Sequence, residues 1–274
     1  MTVKRHSSYN RAKVVYDEFL QSYFPGSCPF PLEVGHLVLF ISYCYTKLLA
    51  PQTVTTYISV LGHFNKLEGY EDTTQVFVVR RTLQGFKNLK GTPDIRLPIM
   101  PSILRKLVKS LPICTSSFYQ RSLFKAMFLL AFHTFLRVGE ITSTENSTSV
   151  LQFASIQSGQ ISENKPQDLT LTLTNCKHHQ GKPPVNLHLT ATQDNKDLCP
   201  ITAMWEYCKT RGKANGPLFM FQDNTPISRH MFSNQLQISL TFLGYDNKFC
   251  KSHLFRIGAA TWAISRCVSD DKIQ

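Results

Sequence analysis

The spacing of apolar residues changes twice along this chain of 274 residues, and that change limits the possible folds more than any other feature. Four segments in the first third carry apolar side chains at helical spacing: residues 9–23, 34–48, a segment opened by Pro51, and 76–89. In the middle, residues 168–174 and 185–190 alternate apolar with polar side chains, as the strands of a hairpin do. The sequence therefore predicts a mainly α fold with a small antiparallel β-sheet (α+β).

Residues 118–132 form a strongly apolar segment at helical spacing. A helix with so few polar residues cannot lie on the surface, so we predict that it is a core helix. Four further helices are predicted beyond the first third, at residues 102–110, 201–211, 229–243 and 253–266.

A run interrupted by prolines separates the first four helices from the rest of the chain. Lys90-Gly91-Thr92-Pro93 ends the fourth helix, and the extended run Arg96-Leu97-Pro98-Ile99-Met100-Pro101 follows. We predict an interdomain linker there, with the boundary near residue 95. Residues 1–95 would form a helical domain and residues 96–274 a second domain.

The chain has 30 Lys and Arg against 18 Asp and Glu, which gives a net charge of +12 and a pI near 9.4. Most of this excess lies in residues 96–274. A polyanionic partner is therefore favoured, with nucleic acid ahead of an acidic membrane surface. No stretch is apolar enough for a membrane helix, and residues 1–10 do not resemble a signal peptide, so we expect a soluble intracellular protein.

The eight cysteines are scattered without a C-x-x-C pair, a pattern typical of reduced thiols rather than of a disulfide framework. Cys250 and His253 have a spacing found in zinc sites, but a second matching pair is missing. We therefore expect no bound metal.

One arginine, Arg137, comes directly after the apolar segment, in the sequence Leu136-Arg137-Val138-Gly139-Glu140. A guanidinium group next to a core helix needs an anionic partner, because burying an unpaired charge is costly. Two interpretations remain open from these residues: an Arg137–Glu140 pair on one helix face, or an arginine that binds an anionic ligand.

A second cluster, Lys251-Ser252-His253-Leu254-Phe255-Arg256, places His253 and Arg256 three residues apart on one face of a helix start. Such an arrangement suits a phosphate, since an arginine can bind two phosphate oxygens at once. A capped helix with a solvated arginine is the simpler alternative. Together, Arg137 and Arg256 could bind the oxygens of a reacting phosphodiester, and Lys177 in the hairpin connection could donate a proton to the departing oxygen.

The order of these elements resembles that of the tyrosine recombinase (phage integrase) family. The resemblance rests on the L-R-x-x-E turn after an apolar helix, the hairpin lysine Lys177, and the later H-x-x-R of residues 253–256. Residues 198–204 and Gly216-Pro217-Leu218-Phe219 are similar to further landmarks of the family, and residues 51–70 resemble a helix of its core-binding domain. Residues 252–261 look most like integrase-like recombinases of eukaryotic mobile elements.

The resemblance implies an N-terminal core-binding domain and a catalytic domain that bind double-stranded DNA, as a homo-oligomer, in the nucleus. It implies that Arg137 and Arg256 bind the scissile phosphate, that Lys177 protonates the leaving 5′ oxygen, that His253 assists proton transfer and that Glu140 orients the site. Lys182 and the pair His178-His179 are alternatives to Lys177. The resemblance also implies a reaction that uses no metal, nucleotide or other cofactor and no small-molecule substrate.

In the family, a tyrosine nucleophile follows the H-x-x-R helix, whereas all ten tyrosines of this chain precede His253. Ser269, Asp270 and Asp271 look like the start of a helix, after which the sequence ends. We therefore expect a C-terminal truncation and no cleavage by the chain alone. A non-catalytic, domesticated DNA-binding protein is the second hypothesis, and a helical protein-interaction domain is the third.

Overall fold

The computed structural model describes residues 3–90, 97–143, 150–162, 165–174, 183–191, 196–213, 215–246 and 254–267. The chain divides into two compact units, Met1–Asp94 and Ile95–Gln274. Each unit encloses its own cluster of buried apolar side chains, so each one is described by itself.

Four helices make up the first unit: α1 (Val3–Tyr23), α2 (Val34–Thr46), α3 (Pro51–Leu67) and α4 (Phe77–Lys90), with a 3-10 turn at Thr73–Gln75. Aromatic rings join α1 to α2, since the Phe40 ring lies 5.1 Å from the Tyr16 ring and 5.5 Å from the Phe19 ring between centroids. These helices confirm the helical spacing read from the first third of the sequence.

A buried asparagine, Asn65, ties together the loops of this unit. Its side-chain oxygen accepts a hydrogen bond from the Leu32 backbone N–H at 2.9 Å, and its amide nitrogen donates to the Glu71 carbonyl. The Thr73 hydroxyl donates to the Leu32 carbonyl at 3.0 Å. Leu32 is buried, and both its backbone N–H and its carbonyl group are therefore hydrogen-bonded.

The second unit contains the helices α5 (Pro101–Cys114), α6 (Phe118–His133), α7 (Val138–Ile141), α8 (Pro200–Arg211), α9 (Arg229–Phe242) and α10 (Leu254–Ser265). The buried residues of α6 lie on all sides of the helix, which confirms the predicted core helix. Packed around it are α5, α8 and α10. No helix in the described part of the chain is both long and apolar enough to cross a membrane.

The strands of the second unit are β1 (Ile156–Ser158), β2 (Ile161–Ser162), β3 (Lys165–Pro166), β4 (Asp168–Leu173) and β5 (Val185–Thr190). An antiparallel three-stranded sheet has the order β1-β4-β5, and β2 pairs with β3. The leucines Leu169, Leu171 and Leu173 are buried, whereas the threonines between them face outward. The mainly α fold with a small antiparallel sheet is thus confirmed.

Helix α5 is longer than predicted, because it continues through Pro112 to Cys114 instead of ending near residue 110. A proline in a helix interior removes one backbone hydrogen bond. Here the proline lies in the last turn, where the fully buried Leu111 keeps the helix against the core. Burial of the leucine outweighs the local preference for a helix end.

A glycine in α10 permits a close contact between two backbones. A Cβ atom added at Gly258 would overlap the backbone of Ile99, including its carbonyl oxygen. The Ile99 backbone N–H donates to the Leu254 carbonyl at 3.2 Å, so the extended segment before α5 lies directly on the start of α10. Only glycine fits this crossing.

We predict that Gly258→Ala lowers the free energy of unfolding of the second unit by about 2 kcal/mol or more, because the new methyl group forces the Ile99 backbone away from α10. Urea unfolding followed by tryptophan fluorescence measures this, since both tryptophans, Trp205 and Trp262, lie in this unit. Gly139→Ala is the control, because no atom lies within 4 Å of a Cβ there. Equal effects of the two substitutions would contradict the prediction.

Candidate phosphate-binding site

The turn that presents Arg137 is built from an unusual backbone conformation. Helix α6 ends at His133, and the Thr134 hydroxyl donates to the Leu130 carbonyl at 2.6 Å. Phe135 then adopts a left-handed conformation with φ of 54°, which costs a non-glycine residue about 1 kcal/mol. Beyond this residue, buried Leu136 returns to the core and Arg137 takes the N-cap position of α7.

His133 fixes the end of α6 before this turn. Its ring nitrogen Nε2 lies 3.0 Å from the carbonyl oxygen of Leu198, far along the chain. Burial lowers the pKa of the imidazole below its ordinary value. The ring is therefore neutral at pH 7 and donates through Nε2–H to the carbonyl, which ties the end of α6 to the segment before α8.

Arg137 and Glu140 form the pair that their spacing predicts. The Glu140 carboxylate accepts a hydrogen bond from the Arg137 backbone N–H at 2.7 Å, and its other oxygen lies 3.3 Å from Arg137 Nη1. The arginine side chain keeps about a third of its surface exposed, at 34%, against 16% for the glutamate. The acid thus caps α7 and also restrains the guanidinium group, which still reaches solvent.

Arg256 lies in the first turn of α10, directly after a fully buried phenylalanine. The ring of Phe255 is 5.4 Å from that of Phe128 in α6 and 5.7 Å from that of Phe232 in α9. Since these contacts fix the rotation of α10 about its axis, Arg256 is held in a partly exposed position next to the core.

The elements that carry the two arginines share a common support. Helix α7 packs against α9, and the Ser143 backbone N–H just beyond α7 donates to the Ile227 carbonyl at 2.8 Å just before α9. Helix α10 contacts the same α9 through Phe255 and Phe232. Convergence of the guanidinium groups of Arg137 and Arg256 on one phosphate stays a prediction.

Two of the predicted site residues, Lys177 and His253, lie outside the described residues, as do the alternatives Lys182 and His178-His179. The strands β4 and β5, on either side of the hairpin connection, are described and occupy the predicted places. Among the residues that the structure describes, no group of three His, Cys, Asp or Glu side chains could hold a metal ion.

The first unit has a basic groove that the sequence reasoning did not single out. It has a volume of about 530 Å³ and lies along the outer face of α4, lined by Gln75, Phe77, Arg80, Arg81, Leu83, Gln84 and Lys87. Helix α4 contains no acidic residue, so this groove is positively charged along its length. The regular spacing of Arg80, Gln84 and Lys87 along α4 is the signal that could have revealed it.

Three solved structures show the same fold in proteins that act on DNA. The Tn1549 transposon integrase (residues 82–397), in complex with circular intermediate DNA, matches 100% of this chain and 85% of its own at a TM-score of 0.61 and 12% identity. The XerH site-specific recombinase bound to palindromic difH substrate matches 98% of this chain and 71% of its own, with a TM-score of 0.66 and 15% identity. Lambda integrase (residues 75–356) bound to DNA matches 98% of this chain and 89% of its own, with a TM-score of 0.56 and 13% identity.

At such identities, the likeness shows the fold alone: the chain has the fold of the tyrosine recombinases. No protein-family model matches the sequence, and a comparison with curated proteins finds no match. The roles of individual residues must therefore be argued from their chemistry and position.

We predict that Glu140→Ala lowers the free energy of unfolding of the second unit by about 1 kcal/mol, because the Arg137 backbone N–H loses its acceptor. Glu140→Gln should cost less, since its amide oxygen still accepts that hydrogen bond. Urea unfolding of both variants provides the measurement. The control is Glu206→Ala, which removes a more exposed carboxylate, the partner of Lys125, and should change stability by less than about 0.5 kcal/mol. Equal losses in Glu140→Ala and Glu206→Ala would contradict the role of Glu140.

Proposed function

We propose that this protein is a DNA-binding site-specific recombinase, or integrase, of the kind that breaks and rejoins DNA through a 3′-phosphotyrosyl intermediate. The observation that carries the proposal is the match of 98–100% of the chain, over both units, to recombinases solved on DNA. The net charge of +12 agrees with a polyanionic partner.

The chemistry assigns Arg137 and Arg256 to the scissile phosphate. Charge accumulates on the equatorial phosphate oxygens when a nucleophile attacks phosphorus, so two guanidinium groups at those oxygens stabilise the transition state. Arg137 suits this task because Glu140 restrains its guanidinium group while leaving it in reach of solvent. Arg256 suits it because the buried Phe255 fixes its place at the start of α10.

Proton transfer falls to residues outside the described part of the chain. A tyrosine hydroxyl gives up its proton with the assistance of His253, and its oxygen attacks phosphorus to form the phosphotyrosyl bond. The bond to the 5′ oxygen breaks, and that oxygen takes a proton from Lys177. The phosphotyrosyl bond retains the energy of the broken phosphodiester, so rejoining requires no nucleotide and the mechanism no metal.

The basic groove of the first unit supplies a second DNA contact in this proposal. Arg80, Arg81 and Lys87 would neutralise backbone phosphates, whereas Gln84 can donate to phosphate or base-edge acceptors. Recombination between two duplexes further requires several subunits, so we propose a homo-oligomer on DNA. An affinity with integrase-like recombinases of eukaryotic mobile elements, and hence a nuclear location, belongs to the same proposal.

A non-catalytic DNA-binding protein with the same fold is the second candidate. Both candidates share the phosphate-binding surface and differ only in the chemical step.

We predict that the chain binds duplex DNA with an affinity that falls steeply as salt rises, and that Arg137→Ala with Arg256→Ala weakens binding at least about tenfold at fixed salt. Two lost phosphate contacts should also reduce the slope of log affinity against log salt by about 2. Fluorescence anisotropy across a salt series measures both quantities.

The matched control is the double variant Lys13→Ala, Lys209→Ala, which removes the same charge from two exposed positions elsewhere. Its binding should change far less than that of the arginine variant. An equal loss in the two double variants would mean that the arginines act only through net charge, and absence of DNA binding by the unchanged chain would overturn the proposal.

The two candidates differ in whether a tyrosine attacks the DNA, which covalent capture can test. If the reading frame continues into a helix with a tyrosine, we predict that the extended chain forms a covalent adduct with nicked duplex DNA that survives denaturation. Arg137→Ala should then slow adduct formation by about 100-fold or more. An extended chain that has such a tyrosine but forms no adduct favours the non-catalytic candidate.

A further inference from the structure

An open apolar groove lies between α2 and α4 in the first unit. Its volume is about 420 Å³, and it is lined by Ile41, Ser42, Tyr45, Thr46, Thr82, Gly85, Phe86 and Leu89. Leu89, at 77% exposure, and Tyr45, at 42%, lie open to solvent on its edges. None of the residues assigned to DNA above lines this groove.

The polar residues of the groove expose carbon atoms rather than hydrogen-bonding groups. The Ser42 hydroxyl donates to the Val38 carbonyl, that of Thr46 to the Tyr43 carbonyl, and that of Thr82 to the Val78 carbonyl, at 2.8 to 3.2 Å. Each donor is therefore satisfied within its own helix. The walls therefore suit an apolar occupant, because their hydroxyl groups are not free to hydrogen-bond to a polar one.

A glycine in the middle of α4 supplies the depth of the groove. Gly85 weakens the helix relative to alanine, and no atom lies within 4 Å of a Cβ built on it. Close packing inside the first unit therefore does not account for this glycine. The space above it is part of the groove, which a side chain would fill.

On the two helices that line the groove, every charged residue is positive. Lys90 lies over the rings of Tyr45 and Phe86, at 4.4 and 5.8 Å from their centroids, and donates to the Tyr45 carbonyl at 3.1 Å. Neither α2 nor α4 contains an acidic residue. An occupant with acidic groups next to its apolar surface is therefore electrostatically favoured.

We propose that this groove binds an amphipathic helix of a partner polypeptide, with an apolar stripe bordered by Asp or Glu. A small apolar molecule fits less well, because an open groove with exposed edges cannot bury most of its surface. From Thr82 to Leu89 the groove follows α4 for about 10 Å, which matches two turns of a bound helix with anchors at i, i+3 or i+4, and i+7. This inference is independent of the proposed recombination function.

The test uses the full 274-residue chain and a displayed library of helices about 18 residues long. Library members carry leucine at i, i+4, i+7 and i+11, and Ala, Gln, Lys or Glu at the flanking positions. We expect selection on the chain to enrich Glu beside the leucine stripe. A soluble peptide from the selected set should bind Gly85→Leu and Leu89→Glu at least about tenfold more weakly than the unchanged chain.

Gly85→Ala is the matched control, because a methyl group leaves most of the groove open. It should keep peptide affinity within about threefold, and DNA affinity should be the same in both Gly85 variants as in the unchanged chain. Circular dichroism verifies that each variant is folded. The proposal is overturned if no helix is selected, if Glu is not enriched, or if Gly85→Leu binds the peptide as the unchanged chain does. It is also overturned if sedimentation shows a dimer of the chain that Gly85→Leu dissociates, since the occupant is then a second copy.

Discussion

Burial of α6 on all sides is the constraint on which the second unit depends. A helix without a solvent face must be covered by several neighbours, and α5, α8 and α10 provide that cover. The ring of Phe128 lies within 5.4 Å of the rings of both Phe232 and Phe255, so α9 and α10 are positioned by the same side chain. Loss of one such aromatic ring from a core typically costs about 3 to 5 kcal/mol. The placement of Arg256 is a consequence of this packing, since it follows Phe255.

Helix α6 also imposes an electrostatic constraint on the candidate site, because a charged residue follows it directly. A cation directly after an apolar helix is costly unless the chain turns it toward solvent and pairs it. The left-handed Phe135 turns the chain, and Glu140 pairs with Arg137 while it caps α7. One acidic residue therefore stabilises a helix start and restrains a guanidinium group. The ion pair and the ligand-binding arginine, which the sequence left as alternatives, are compatible in this geometry.

Most of the fold could be predicted because the hydrophobic period reports which face of each element is buried. That signal fails for short elements: β1 has three residues with only Ile156 partly buried, and α7 is a single turn. Helix α5 extends beyond its predicted end because burial of Leu111 outweighs Pro112. The crossing of Ile99 over α10 involves residues distant in sequence, and a lone glycine among small residues does not reveal its partner. Convergence of Arg137 and Arg256 on one phosphate stays a prediction, because no local sequence pattern encodes it.

Helix α4 lines both the basic groove and the apolar groove of the first unit. At about 100° per residue, the residues of the basic groove and those of the apolar groove lie on opposite sides of the helix, about 180° apart. Buried Val79 points between them into the core, and buried Phe86, which also lines the apolar groove, helps to fix the rotation of α4 about its axis. Nucleic acid in contact with Arg80 and Lys87 therefore leaves the space above Gly85 open. The absence of acidic residues from α4 serves both surfaces, since one suits phosphates and the other an acidic helix. A DNA contact and a protein contact can thus be made at the same time by one helix of 14 residues.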